Sequence, residues 1–444
     1  MRIIKNIKLP FKVLGFSLFA LMVSCVDILD IQELTGGSAS DALVVEAILT
    51  DEVKNQVVYL SRSDSRTDLE RDTTYIPFVT PGLRPRDTVN VETGASVRLF
   101  SSDGLDYSFT ETRDGTYLSN DIFGLEMNKT YQLEITLSNG NQYISDSVAV
   151  QGTSVIDQIY AEPAMSETGA EGVAIYVDSS PLEGNSEDFR FNYVETYQVV
   201  APLWVSREFR LTNYQLCPPT PYTLEVVPRV DESRVCYNSV DSNTVIQTST
   251  SNSTSSSVER FMVRFIQKEN FIISHRYSIE VAQLVQTPES YVFYETLRKF
   301  SGSESLFSQI QPGELLANMR RKDGVEENVL GWVEAVSVAK KRLFFNYEDF
   351  FPGEERPEFP FNCNLLSVPE QTLFCNEFGG LSASDCPPGI VEGVDGDFYS
   401  FYDFYTPELA PLSICPGPYV VTPKICGDCR TLGSNVIPEF WTEE

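Results

Sequence analysis

Between Ala42 and about Gly152, apolar residues recur at alternate positions or in short runs broken by turn residues: Ala42 to Leu49, Gln56 to Leu60, Ser96 to Phe100, Tyr107 to Thr112, Tyr131 to Leu137 and Gln142 to Val150. A period of two places one set of side chains on a single face of a strand, and runs at this spacing predict an all-β sandwich. Asp103-Gly104 and Asp114-Gly115 fall between runs, where tight hairpins need a residue with positive φ.

Beyond Thr153 the strands lengthen and gain rings. Phe189, Phe191, Tyr193, Glu195, Tyr197 and Val199 share one face at period two. Glu195 interrupts that apolar face, and exposure at a strand end or pairing with an arginine is expected of it rather than a catalytic role. Thr248 to Ser257 is almost all Ser, Thr and Asn and predicts a mobile loop between strands. One helix stands out: Thr287 is placed to cap it, Pro288 suits its first position, and Tyr291, Tyr294, Leu297 and Phe300 recur at helical spacing before Gly302, a stripe expected to pack in a core. Later strands are expected at Val329 to Val338 and Lys341 to Asn346, followed by aromatic, acidic stretches at Tyr347 to Pro360 and Asp395 to Tyr405. The chain therefore reads as mainly β. Residues 41–152 are expected to form a sandwich that resembles small immunoglobulin-like or transthyretin-like domains, and residues 153–444 a larger β-rich, disulfide-containing domain with at least one helix.

Ahead of the first strand the pattern changes character. Arg2, Lys5, Lys8 and Lys12 precede an apolar run from Val13 to Val23, and Met22-Val23-Ser24-Cys25 has the form of a lipoprotein processing site. Residues 1–24 are expected to be a signal peptide, and Cys25 the lipidated residue. The apolar run falls short of the roughly 20 residues of a membrane-spanning helix, so a tethered protein is expected, not a spanning one. Residues 25–40, ending Gly36-Gly37-Ser38-Ala39-Ser40, read as the lipidated cysteine and a flexible tether. Export to an oxidising compartment makes disulfides of the remaining cysteines. Cys217 and Cys236 stand apart from the rest and are expected to pair; the six C-terminal ones leave their connectivity open.

The charge narrows the partners. With 33 Lys+Arg against 63 Asp+Glu the net charge is −30, and loss of the leader's four basic residues deepens it. Phosphate backbones and anionic lipid surfaces repel such a polyanion, so neither nucleic acid binding nor electrostatic docking on a membrane is expected. At 42% hydrophobic and 12% aromatic residues, the chain has ample material for packed cores.

Candidate chemistry is sparse. The sole histidine, His275, shares a face with Phe271, Ile273, Tyr277, Ile279 and Val281 of a strand expected over Phe271 to Leu284, and reads as a core or rim residue; no Gly-x-Ser-x-Gly elbow accompanies it. Ser337-Val338-Ala339-Lys340 matches Ser-x-x-Lys, but its flanks favour a strand, which points residues three apart to opposite faces. Cys426-Gly427-Asp428-Cys429 has redox-motif spacing without a strand-to-helix context, so structural disulfide bonding is expected of it, and a zinc site is not. Asp395-Gly396-Asp397, with Glu392 and Asp403, offers oxygen ligands but lacks the regular ladder of a calcium loop, and reads as a solvated acidic loop. No catalytic residue, metal site or cofactor is expected. Within the aromatic loops Phe344 to Phe361 and Phe398 to Tyr405, the candidates for contact with a partner or ligand are Phe350, Phe351, Phe398, Tyr399, Phe401 and Tyr402.

A family resemblance gathers these pieces. The lipoprotein cysteine, Leu43 to Glu52, Val57 to Ser63, Gly94-Ala95, Val155-Ile156-Asp157, Phe189 to Tyr197, Arg276-Tyr277-Ser278, the helix after Pro288, Val329-Leu330-Gly331-Trp332 and Lys341-Arg342-Leu343 together resemble a lipoprotein family of Bacteroidota, the domain of unknown function DUF4249. The most specific part of the resemblance is the tail, Cys426-Gly427-Asp428-Cys429-Arg430, then Gly433 and Pro438-Glu439-Phe440-Trp441. It implies a surface-exposed outer-membrane lipoprotein that is not an enzyme, acting as an accessory or cap subunit of a TonB-dependent-transporter-like barrel, because genes of the family neighbour such barrels. The alternatives are a ligand-binding lipoprotein that captures a glycan or peptide, and an accessory subunit of outer-membrane protein assembly machinery.

Overall fold

The computed structural model describes residues 42–63, 90–185, 187–215, 222–301, 317–371, 373–375, 381–383, 388–410 and 416–442. The leading alternating runs become β1 (Leu43–Thr50), β2 (Val57–Arg62), β3 (Asn90–Val91), β4 (Ser96–Ser101), β5 (Asp106–Arg113), β6 (Thr116–Ser119), β7 (Tyr131–Thr136) and β8 (Gln142–Ser145). Gly104 and Gly115 sit at the expected turns with φ of +88° and +70°. At Gly115 a β-carbon would stand 2.7 Å from the Leu60 carbonyl oxygen, so glycine is required there twice over. The alternate residues Leu43, Val45, Ala47 and Leu49 of β1 are buried against Leu99, Leu133, Ile135 and Tyr143 in one core.

The middle of the chain supplies β9 (Gly152–Met165), β10 (Glu171–Gly184), β11 (Asp188–Val200), β12 (Arg207–Thr212), β13 (Thr223–Pro228), β14 (Val235–Asp241), β15 (Ile246–Ser249), β16 (Val258–Gln267), β17 (Tyr277–Gln286), helix α1 (Pro288–Ser301), β18 (Met319–Arg321) and β19 (Val329–Phe345). The two strands expected at 329–338 and 341–346 are one strand of 17 residues. It joins the two halves of the molecule: Val329–Val336 pair in parallel with Leu43–Thr50, and Ser337–Phe345 pair antiparallel with Tyr277–Val285. The resulting sheet runs β14-β11-β17-β19-β1-β2-β6-β5-β4-β7-β8-β18.

Beyond β19 the sheet rolls up until β18 returns beside β19. There the Asn318 side chain accepts from the Val333 N–H at 2.9 Å and donates to the Val333 carbonyl at 2.6 Å. The first core accordingly takes in Met319, Val329, Val333 and Ala335, so residues 42–152 alone do not close it. In the second half, the sheet β14-β11-β17-β19 packs one face on the three-stranded sheet β16-β10-β9, and Phe189, Phe191, Tyr193, Tyr197 and Val199 fill the space between. The chain is thus mainly β, in a sandwich-like arrangement with few helices.

The other face of that sheet carries α1 at one end. Thr287 Oγ1 accepts from the Ser290 N–H at 3.1 Å, the cap its sequence position predicts, and Phe293 stacks on Trp332 of β19 at 5.0 Å. One expected strand end differs: Phe271–Ile273 is a single 3-10 turn whose N–H of Ile272 is capped by Asn270, and the strand begins at Tyr277. A turn-capping asparagine two residues ahead of Ile272 outcompetes the extended form.

The remaining elements are β20 (Leu366–Ser367), β21 (Leu373–Cys375), β22 (Leu381–Ala383), α2 (Ile390–Asp395), β23 (Tyr399–Phe404), β24 (Tyr419–Pro423) and α3 (Lys424–Gly427). Val368, Ile390 and Val421 form a third, small core with Phe209 and Leu224 of the β12–β13 hairpin. This C-terminal body lies at the β19 end marked by Phe345, where β11 ends and Leu203 donates to the Cys426 carbonyl. Leu43, where the described chain starts, pairs at the opposite end with Val329. At about 3.3 Å per residue the two ends of β19 stand roughly 50 Å apart.

Candidate functional site

Among the described residues, three buried carboxylates, Glu334, Glu195 and Asp428, are each tied into a knot with an arginine. On the α1 side of the sheet, Arg190 of β11 pairs with Glu334 of β19, and both side chains are at most 3% exposed. Ser290 and Tyr294 of α1 donate to the same carboxylate at 2.6 and 3.2 Å, and the Arg190 guanidinium lies over the Tyr294 ring at 3.8 Å. Inside the sandwich, Glu195 accepts from Arg264 at 3.2 Å through both oxygens and from the Tyr277 hydroxyl at 2.8 Å. Burial, reinforced by Glu195, holds the Tyr277 hydroxyl well above its ordinary pKa. The arginine partner expected for Glu195 is therefore present, and the carboxylate is buried as well.

The third knot belongs to the tail. Asp428 accepts from Arg430 at 2.9 and 2.7 Å and faces Arg229 at 3.3 Å. Burial works to raise its pKa, but the Arg430 hydrogen bonds and the Lys424 and Arg430 charges hold it below the usual carboxylate value. Acids tied this way rigidify their surroundings and have no oxygen left poised for proton transfer.

The sequence motifs fall apart in space. His275 Nδ1 faces the Arg356 guanidinium at 2.9 Å rather than a carboxylate, beside a cavity of about 160 Å³ walled by Val200, Pro202, Phe271, Pro357 and Phe359. Burial and then Arg356 depress its pKa, while Glu348 works against them. In the Ser-x-x-Lys stretch, Ser337 donates inward to the Gly152 carbonyl at 2.6 Å whereas Lys340 reaches Glu52 at the surface, as a strand requires. Asp397 is paired with Lys424 at 3.2 Å. Among the described residues no three His, Cys, Asp or Glu side chains converge on a point that would hold a metal, and no helix is long and apolar enough to cross a membrane.

The cysteines correct one expectation. Cys236 is bonded to Cys429, not to Cys217, and Cys363 is bonded to Cys426. The two cysteines of the Cys-x-x-Cys stretch thus bond to separate partners rather than to each other. Cys217, Cys386 and Cys415 lie outside the described residues, as do Gly302, Cys25, the leader and the tether.

The contact candidates divide. Phe351 and Phe401 are buried, Phe351 against Tyr347 and Phe401 against Phe209, so neither presents a surface. Their rings complete cores that the short flanking strands leave open. Phe350 is half-buried against Phe345; Tyr399 and Tyr402 are half-buried, Tyr399 over Gly393. Phe398 is 47% exposed. Phe404, inside the same candidate loop but not among its six named residues, is 50% exposed above Phe401 and Tyr419. Its place at the end of a short strand is the signal that could have marked it.

These features define a mainly β protein of sandwich-like bodies joined through one shared strand, with the buried Glu195, Glu334 and Asp428 each paired to an arginine. The chain belongs to the family described as Domain of unknown function (DUF4249), whose model matches residues 29–342. The match ends at Arg342 within β19, so the cysteine-rich tail lies beyond it. The chain has no match among curated proteins.

Proposed function

We propose that this protein is a lipid-anchored, non-catalytic accessory subunit at the outer-membrane surface that docks on a barrel of the TonB-dependent-transporter type. The observation that carries the proposal is the polarity of the molecule. The chain leads into β1 at one end of β19, while the half-exposed rings Phe398 and Phe404 sit on the C-terminal body at the other. An anchor at Cys25 then holds the body near the bilayer with these rings directed away from the tether's attachment. Tethering on a shared membrane raises the effective concentration of a partner, so a modest aromatic interface suffices. The internally closed charge knots support a binding role over chemistry, since they leave Glu195, Glu334 and Asp428 committed to structure.

The test is a fatty-acid probe fed to native cells, with wild type compared against Cys25→Ala, followed by affinity purification in mild detergent. The wild type takes the label and brings down one barrel in near-stoichiometric amount. An unlabelled wild type, or a labelled one recovered alone, would sink the proposal.

A further inference from the structure

Residues 434–442 cross the free face of the sheet β14-β11-β17-β19 as a strap fixed at its two ends. At the near end, the Cys236–Cys429 disulfide and paired backbone bonds between Ser434 and Tyr237, at 2.8 and 2.9 Å, tie it to β14. At the far end, Trp441 is buried edge-on between Tyr237 at 4.8 Å and Phe344 of β19 at 5.7 Å. Arg342 lies over Phe440 at 3.6 Å, and Arg276, itself over Phe344, donates to the Thr442 carbonyl at 2.5 Å. Between the ends little is buried: Val436 and Ile437 are 71% and 60% exposed. The Trp441 indole N–H is buried and has no acceptor among the described residues.

We infer that the strap is a displaceable, self-supplied occupant of a peptide-binding cleft formed by Tyr237, Phe344, Arg276 and Arg342. The cleft fits an extended partner segment carrying adjacent aromatic side chains, one for the Tyr237–Phe344 slot and one for the Arg342 guanidinium, with a backbone carbonyl for Arg276. Own tail and partner segment compete for the same contacts, so the strap sets a threshold for engagement. This goes beyond the surface-docking proposal and stands without it, because the cleft is complete in the soluble body.

The test cuts the strap only after the protein has folded. A protease site is inserted between Val436 and Ile437, the purified chain is cut after folding, and a labelled synthetic peptide of residues 437–444 is titrated onto cut and intact protein. The peptide binds the cut body about 10- to 100-fold more tightly than the intact chain, the ratio expected when a tethered competitor acts at an effective millimolar concentration. A peptide with Trp441→Ala binds roughly 30-fold worse, as a central aromatic anchor should. Hydrogen exchange on the uncut, unmodified chain shows residues 435–442 exchanging faster than β19. A cut fragment that cannot be exchanged, a body that unfolds on cutting, equal affinity for cut and intact protein, or tail protection equal to that of β19 would each overturn the inference.

Discussion

Replacing Glu334 with alanine isolates the bond between the two halves of the protein and α1. Its carboxylate is the shared acceptor for Arg190, Ser290 and Tyr294, and the Arg190 and Glu334 side chains are 3% and 2% exposed. Removing one member of a buried pair strands the other charge in the interior, which costs about 3–5 kcal/mol. Arg190 Nη1 already has no hydrogen-bond partner among the described residues, so the guanidinium has little capacity to find relief. The two hydroxyls that lose their acceptor add about 1 kcal/mol between them where water does not reach. Glu334→Ala is therefore expected to lose about 4–6 kcal/mol. The double variant Arg190→Met with Glu334→Leu removes both charges, fills the volume and is expected to lose no more than about 2 kcal/mol. Urea titrations followed by circular dichroism compare wild type with the single and the double variant. A single-variant loss below about 1 kcal/mol, or one no larger than that of the double, would refute the assignment of this knot as the lock on α1.

Three further outcomes are expected. Because burial and Arg356 depress the His275 pKa, the unfolded chain takes up a proton that the folded one refuses. The stabilisation is full above about pH 6.5, the unfolded value, and is lost as pH falls through the folded value; His275→Gln removes that dependence, and matching urea midpoints for both proteins at pH 7.5 and 5 would contradict it. Gly331 has φ of +91°, and a β-carbon would stand 2.0 Å from the Val45 carbonyl oxygen, so Gly331→Ala costs at least about 2 kcal/mol, against about 1 kcal/mol for Gly324→Ala, whose added methyl meets open space. The Cys236–Cys429 bond spans 193 residues, so Cys429→Ser loses about 3–5 kcal/mol, and a non-reducing peptide map contains this pair; a Cys217–Cys236 peptide in its place would refute the pairing.

What could be read ahead of the structure was local. The alternation from Phe189 to Val199, the Asp-Gly turns and the Thr287 cap each depend on neighbours a few residues away, and each appears where its pattern places it. What escaped was long-range. Nothing in Leu43 to Thr50 announces a parallel partner at Val329 to Val336, and the pair Lys340-Lys341 reads as a break because those side chains leave the core to meet Glu52 and the Ile156 and Asp157 carbonyls. Chain distance misleads for cysteines too: Cys236 lies near Cys217 in sequence but near Cys429 across β14 and the tail. Ring-rich loops gave a similar ambiguity, since Phe351 and Phe401 fill cores while Phe398 and Phe404, from the same stretches of composition, reach solvent.

Contact at the end of the molecule opposite its tether is measured most directly by site-specific photocrosslinking in native cells. A crosslinking residue placed at Phe404 should capture a single outer-membrane barrel, while one placed at Ile122, 65% exposed on the first body, should not. Capture of no barrel from Phe404, or the same scatter of proteins from both positions, would contradict a docking role for the C-terminal body.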